Sequence, residues 1–464
     1  MVKQSQIREQ NVWWEPKYQI EEAKWPKRFL FADLINEIKS RFIISILGLR
    51  RIGKSTLLRQ IINHLIQEKN INPKRILYFS FDQAFISKDP DCLEDILEKY
   101  FRVILEERIN NLKQPVYIFL DEIQYINYWQ DYVKRYYDIS SKIKFFITGS
   151  QSMILSDQSR ESLAGRISEH YLPPLSFREF LNFSSQKENV INHIDDIFDI
   201  KNKFYKIEEE NYLKGNKFEK QMRQYLLFGQ FPEIIQESEL NKQYKYIRDG
   251  VLGKILEKDI PSLYEIQKIS NLKNIASTLI ENSSSLFEVN NLSRDIGMSR
   301  ITAENYIDYL EKFYLLNILY RHTKSKVKQG RLLKKSYSYT VNFFSCLLNI
   351  ESDFYDKVPE VFGKIIENYI FNNLELMRRR LNYDLSFFRS GENEIDFILA
   401  DFYQKKIMPI EVKFKSEIRY SDFAFLLKFC KKRKIKEGII ITKNLISEKE
   451  IEGINLRMIP YYFF

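Results

Sequence analysis

The sequence predicts an α/β protein built on a parallel sheet, and three short apolar runs predict it. Phe42-Ile43-Ile44-Ser45-Ile46-Leu47 leads into the turn Gly48-Leu49-Arg50-Arg51-Ile52-Gly53-Lys54-Ser55-Thr56. Val116-Tyr117-Ile118-Phe119-Leu120 ends in Asp121-Glu122, and Ile143-Lys144-Phe145-Phe146-Ile147 ends in Thr148-Gly149-Ser150. Runs this short and this apolar read as strands buried on both faces, as in a parallel sheet covered by helices. Each run leads at its C-terminal end into polar residues or a glycine turn, at the edge where ligands bind in open α/β sheets.

The first turn satisfies G-x-x-x-x-G-K-[ST], with a strand before it and a helical stretch from Thr56 to about Ile66 after it. Backbone N–H groups in such a loop point inward at phosphate oxygens, and the helix N-terminus adds partial positive charge. Lys54 would reach the β- and γ-phosphates and the Ser55 hydroxyl would ligate Mg²⁺, so residues Gly48 to Thr56 are expected to bind a nucleoside triphosphate. Asp121 would then face the Mg²⁺, while Glu122 orients and deprotonates the attacking water. A hydroxyl after the third strand would hold that water or sense the γ-phosphate; Ser150 is the first choice and Thr148 the alternative. Downstream, Ser159-Arg160-Glu161-Ser162-Leu163-Ala164-Gly165-Arg166 offers Arg166 as a guanidinium for a neighbouring subunit's γ-phosphate. The other reading of Arg166 is a surface arginine in a salt bridge.

This order of motifs, followed by Leu172-Pro173-Pro174-Leu175-Ser176-Phe177-Arg178-Glu179-Phe180, resembles a prokaryotic family. Its members are AAA+-like ATPases, common in archaea and bacteria, with a C-terminal domain of unknown function. The match is strong over residues 41 to 180 and weaker beyond. It implies an ASCE P-loop ATPase core similar to the signalling STAND branch, ATP as the nucleotide, and a helical lid. In that lid the turn Gly229-Gln230-Phe231-Pro232 is similar to one the family carries, which implies that Gly229 and Pro232 pack near the adenine and report nucleotide state. The residues alone show a helix stop with a proline. The stretch Lys335 to Phe343 departs from the family in lacking an Asp-Thr-Gly.

Composition bounds the rest. With 464 residues, 44% hydrophobic and 29% charged, the chain has room for three or four modules with their own cores. No apolar run approaches the ~18–20 residues needed to cross a bilayer, and the polar N-terminus lacks the core of a signal peptide. Cys92, Cys346 and Cys430 lie far apart and show neither disulfide nor zinc spacing, so a cytoplasmic setting without membrane attachment is expected. The net charge of +10 gathers in Arg321 to Lys335 (Lys324, Lys326, Lys328, Arg331, Lys334, Lys335), in Arg378-Arg379-Arg380 and in Lys428 to Lys436. Each cluster alone suits a solvated face; together they suit DNA or an acidic partner.

The chain therefore divides into an N-terminal segment (1–40), the ATPase domain (41–178), a helical lid (179–268), a winged helix-turn-helix (269–325) and a C-terminal module (326–464). In the N-terminal segment Trp13, Trp14 and Trp25 are expected to pack on the ATPase core, near the adenine. Within 269–325, Ser299 would cap a helix from Arg300 to Phe313 that buries Ala303, Ile307 and Leu310. Arg300, Thr302 and Asn305 suit base reading, but Glu304, Asp308 and Glu311 would oppose phosphates, so a structural or subunit-contact role is favoured. In the last module, strand alternation puts Glu411 and Lys413 on one face, and Asp396 comes alongside if Ala400 to Ile407 form a hairpin. Asp396 and Glu411 could bind divalent ions there, with Lys413 positioning a water. Asp-x(14)-Glu-x-Lys resembles the PD-(D/E)xK nuclease superfamily, with Glu367 matching the helical acid of many members. The resemblance implies a restriction-endonuclease-like α/β fold, either cutting DNA or surviving as an inert binding or scaffolding domain. An arginine acting between subunits would make the assembly a homo-oligomer, such as a ring.

Overall fold

In the computed structural model the three apolar runs are strands, and two more join them. They are β1 (Ile43–Leu47), β2 (Ile76–Ser80), β3 (Val116–Asp121), β4 (Ile143–Gly149) and β5 (Ile167–Tyr171). The structure describes residues 2–16, 18–82, 91–149, 163–184, 193–323, 333–351 and 358–464. Ser150 and four of the clustered basic residues (Lys324, Lys326, Lys328 and Arg331) lie outside them. Contacts divide the chain into two units: Met1–Pro174 with Lys312–Tyr314, and Leu175–Glu311 with Leu315–Phe464.

In the first unit all neighbouring strands are parallel, in the order β2-β3-β4-β1-β5. Every residue of β1 and β4 is buried, which explains why their sequences are mostly apolar rather than alternating. One face packs Phe145 and Ile147 with α1 (Gln4–Gln10), α4 (Cys92–Lys99) and α5 (Trp129–Ile139); the other carries the stacked pair Phe119 and Phe146, 4.5 Å apart. Between them in the chain come α2 (Leu30–Glu37) and α3 (Lys54–Gln67), which starts two residues earlier than the sequence suggested because Gly53 serves as its N-cap.

The second unit begins with α6 (Phe177–Phe183), opened by a capping box between Ser176 and Glu179, and the 29-residue α7 (Ile200–Phe228). Next come α8 (Ile269–Glu281), β6 (Leu286–Phe287), α9 (Val289–Ile296), α10 (Arg300–Lys312), β7 (Leu316–Tyr320) and β8 (Lys334–Ser338). The strands form an antiparallel sheet, β6-β8-β7. Ser299 caps α10 through the Thr302 amide, at 3.1 Å, and Ala303, Tyr306, Ile307 and Leu310 form its buried face.

After α11 (Val341–Leu347) and α12 (Pro359–Leu381), a six-stranded mixed sheet closes the chain. Its strands are β9 (Asp384–Ser390), β10 (Asn393–Asp401), β11 (Lys406–Lys413), β12 (Glu437–Thr442), β13 (Ser447–Ile451) and β14 (Ile454–Pro460), in the order β13-β14-β12-β11-β10-β9. The expected hairpin joins β10 to β11, with Asp401 opposite Lys406. Helix α12 packs on β8 to β11, and α13 (Ala424–Arg433) on β10 to β12 and β14. Among the described residues no helix is long and apolar enough to cross a membrane.

Candidate nucleotide site and a second acidic cluster

The glycine turn leaves β1 at the C-terminal edge of the first sheet. Gly48 sits where a Cβ would strike the Leu172 carbonyl oxygen and come within 2.6 Å of Ile52 Cδ1, so no larger residue fits. Gly53 takes a left-handed conformation (φ 96°) before α3, and Arg51 does the same (φ 63°). Leu49 and Ile52 are buried and anchor the loop. The buried Arg28 holds it from outside, donating to the Ile52 carbonyl (2.8 Å) and the Pro173 carbonyl (2.7 Å).

Lys54 opens α3 and is buried; its Nζ donates to the carbonyls of Gly48 (3.0 Å) and Leu49 (3.1 Å) and lies 3.3 Å from Glu122 Oε1. Asp121 ends β3, and its two oxygens have separate donors. The Thr148 hydroxyl donates to Oδ1 and the Tyr78 hydroxyl to Oδ2, at 2.7 Å for the latter. Thr148 also accepts from the Glu122 backbone N–H at 2.9 Å, which fixes Glu122 in a left-handed turn (φ 54°). The Glu122 Oε2 accepts from Gln124 at 2.6 Å.

These surroundings separate the two acids electrostatically. Burial and the Glu122 charge push Asp121 above its ordinary value, against hydrogen bonds from Ser55, Thr148 and Tyr78. Burial acts to raise Glu122 too, but Lys54, Gln124 and Arg50 outweigh it and hold that carboxyl below its ordinary value. The two acids are thus shifted in opposite directions, and the charged form is favoured at Glu122. Ser55 and Asp121 already face each other through a hydrogen bond, and a hydroxyl beside a carboxylate is a hard oxygen pair that fits Mg²⁺. Thr148, the alternative to Ser150, is inside the constellation.

Arg50 pairs with Asp82 at 3.2 Å on the rim. Thr56 continues α3. Arg166 lies elsewhere: its backbone carbonyl accepts from Ile43 N–H at the start of β1, and its guanidinium forks onto Asp138 at 3.1 and 3.2 Å. That is the N-terminal edge of the sheet, a strand's length, roughly 16 Å, from the loop at its other end. The salt bridge anticipated as its other reading is present.

Gly229 and Pro232 fall in the second unit. Gly229 ends α7, where a Cβ would come within 2.6 Å of Tyr225 Cα and 2.8 Å of Phe180. The turn is held by a buried network: Gln230 N–H donates to Asn342 Oδ1 (2.8 Å), and Asn342 donates to the carbonyls of Tyr225 and Leu226 (3.1 and 2.9 Å). Thr340 donates to the Gln230 side chain. The stretch that lacks Asp-Thr-Gly thus caps the C-terminus of α7 with its own polar side chains.

The second predicted group also comes together. Asp396 on β10 accepts from the Val412 N–H at 2.7 Å, and Lys413 donates to Glu411 Oε1 at 2.6 Å. Glu367 on α12 accepts from Lys335 (2.9 Å) and Tyr337 (2.8 Å). Burial and the charge of Asp396 push Glu411 up to about 8, against Lys413; burial likewise takes Glu367 to about 7, against Lys335. Among the described residues no group of three or more His, Cys, Asp or Glu side chains is placed to hold a metal ion.

Arg28, Tyr78 and Glu394 were not singled out from the sequence, and Lys335, expected only as one of a basic cluster on a solvated or partner-facing surface, is buried. Tyr78 left a signal, since a tyrosine within an apolar strand needs a partner for its hydroxyl. Arg28 and Lys335 left none, because their partners are remote backbone carbonyls or acids more than thirty positions away in the chain.

Residues 40–181 match a family model described as an AAA domain. Fold, site and match agree on the class: the first unit carries an AAA-type P-loop ATPase domain. Residues 219–353 and 362–462 match two models described as domains of unknown function, DUF8612 and DUF4143. Among whole proteins, an uncharacterized protein of Methanocaldococcus jannaschii is 29% identical over 429 residues, spanning 90% of this chain and 81% of its own. An uncharacterized protein of Haemophilus influenzae is 27% identical over 430 residues, spanning 91% and 94%. Among solved structures, the Aeropyrum pernix ORC1 protein in complex with DNA aligns at 12% identity over 73% of this chain and 95% of its own, with a TM-score of 0.32. Cdc6p from Pyrobaculum aerophilum aligns at 11% over 73% and 97%, with a TM-score of 0.30. Scores this low carry no functional argument.

Proposed function

We propose that this protein is a Mg²⁺-dependent ATPase of the AAA+ type, working in the cytoplasm as a homo-oligomer, whose nucleotide state rearranges the second unit on DNA. The observation that carries the reading is the grouping of Lys54, Ser55, Asp121, Glu122 and Thr148 at one sheet edge. Lys54 and the loop amides bind phosphate, Asp121 and Ser55 hold the metal, and Glu122 takes a proton from water. Mg²⁺ there would neutralise charge developing on the phosphates. A γ-phosphate would compete with Glu122 for Lys54, freeing the carboxylate for the water when substrate is in place.

The sequence of elements α8, β6, α9, α10, β7 and β8 supports reading residues 269–325 and the adjoining strand as a winged helix. The sheet carrying Asp396 and Glu411 supports a nuclease-like fold for the last module. Lys54→Ala is expected to abolish nucleotide binding, and Glu122→Gln to bind ATP with turnover reduced by about 10²-fold or more. Turnover of Glu122→Gln at the wild-type rate would remove Glu122 as the base. A second reading, a slow nucleotide switch that signals to a protein partner, is favoured by the tight engagement of Glu122 with Lys54 and Gln124. Stimulation of ATP hydrolysis by DNA supports the first; indifference to DNA supports the second.

A further inference from the structure

We propose that Lys335 is the resident cation of the acidic cluster in the second unit, and that its ammonium closes the cluster to divalent metal ions. This holds whether or not the first unit hydrolyses ATP.

The cluster is assembled from three directions. The β10–β11 hairpin pairs Phe397 with Ile410, so the next step of the register puts Asp396 opposite Glu411. Helix α12 supplies Glu367, and the start of β10 supplies Glu394. Strand β8 supplies Lys335, whose Nζ lies 2.9 Å from Glu367 Oε1 and 2.5 Å from Glu394 Oε1. Asp396 is close enough to stabilise the charge of the same ammonium.

These distances are those of charge-assisted hydrogen bonds to an ammonium. A divalent ion instead demands several oxygens converging at roughly 2.0–2.6 Å, and each of these acids already gives one oxygen to a partner within the chain. Asp396 is held by the Val412 N–H, Glu411 Oε1 by Lys413, Glu367 by Lys335 and Tyr337, and Glu394 Oε2 faces Arg389 at 3.6 Å. Glu411 Oε2 and Glu394 Oε2 are buried without a hydrogen-bond partner, and Glu394 Oε2 has the Arg389 guanidinium beside it as a competing cation.

Lys335 is also fixed in place. It is 3% exposed, pairs with Leu286 of β6 and Leu319 of β7, and its ammonium stands 5.8 Å from the centre of the Phe387 ring. A lysine loses its hydration there only because carboxylates replace it, so the site is built for a cation that the chain itself delivers. A metal ion entering the same space would meet a like charge at bonding distance. The consequence is that this module carries out no metal-dependent phosphodiester cleavage with Lys335 in place.

The test is Mn²⁺ titration of the full chain without nucleotide, followed by electron paramagnetic resonance and calorimetry. Wild type and Asp396→Asn are expected to bind the same number of ions with affinities within about twofold. Lys335→Met is expected to gain one ion bound at least tenfold more tightly than any such site in wild type, and to lose it again in Lys335→Met/Asp396→Asn. Loss of a bound ion on going from wild type to Asp396→Asn would overturn the proposal, as would a folded Lys335→Met that gains none. The first comparison needs no change at Lys335, so it decides the matter even where Lys335→Met does not fold.

Discussion

Thr148 joins the two acids of the nucleotide site through one hydroxyl, donating to Asp121 and accepting from the Glu122 amide. Thr148→Val keeps the shape and removes both bonds. Hydrolysis is expected to fall by about 10–100-fold, the scale of a small misplacement of reacting groups. Nucleotide affinity, measured with a fluorescent analogue, should stay within about twofold; an equal loss of binding would make Thr148 a packing residue instead. In the second unit, Glu411 titrates at about 8 when folded against an ordinary 4.5. Between those values the folded state holds a proton that the unfolded chain has released, so stability falls as pH rises from about 4.5 to about 8. Glu411 alone contributes at most about 1.4 kcal/mol per pH unit, and Glu367, raised to about 7, adds in the same direction. Thermal melting across that window should show the decline, and Glu411→Gln should make it shallower; an unchanged slope in the variant assigns the proton to another group. The nucleotide acids were legible because strand-end carboxylates after a P-loop form a local pattern. Tyr78 was not, because its role exists only where β2 lies beside β3.

At the scale of elements, β2 is an edge strand of the first sheet, and its backbone would otherwise stand open. The N-terminal segment covers it with side chains instead of another strand. The Asn11 amide donates to the Tyr78 carbonyl (2.8 Å) and accepts from the Tyr78 N–H (2.7 Å), while Gln10 accepts from the Ser80 N–H (2.7 Å). The Trp13 and Trp14 indoles donate to the Ile76 carbonyl, and Trp14 stacks on Tyr100. Trp13 and Trp14 thus pack on the core as expected, whereas Trp25 is 53% exposed. Asn11→Ala leaves buried backbone groups of Tyr78 unpaired and is expected to cost about 1–3 kcal/mol. Hydrogen exchange should show the Tyr78 amide losing protection while β1 and β4 keep theirs; retained protection at Tyr78 would mean that the segment does not hold the edge. Element positions were legible wherever apolar period and caps coincided, as at Ser299 and α10. The side-chain bracket of Asn11 on β2 was not, since an asparagine after a short helix reads as an ordinary stop.

At the scale of the whole molecule, Arg166 sits at the sheet edge away from its own glycine loop, so any action on phosphate is on another copy's. Mixing Arg166→Ala with Lys54→Ala is expected to restore part of the hydrolysis that each lacks alone, read as phosphate release at constant total protein. Mixtures as inactive as their components would leave Arg166 as the partner of Asp138. The sequence by itself determined the nucleotide loop, the acids after β3 and the pairing of Asp396 with Glu411 and Lys413. Those signals are local: a motif, a strand end, or a hairpin with period two. Only the tertiary structure decided that Arg28 clamps the loop, that Thr148 ties the acids together, and that Lys335 joins Glu367 to Glu394. In each case the decisive partner lies on a separate strand or segment, and a chain's spacing carries no record of which remote charge folding will bring within three ångströms.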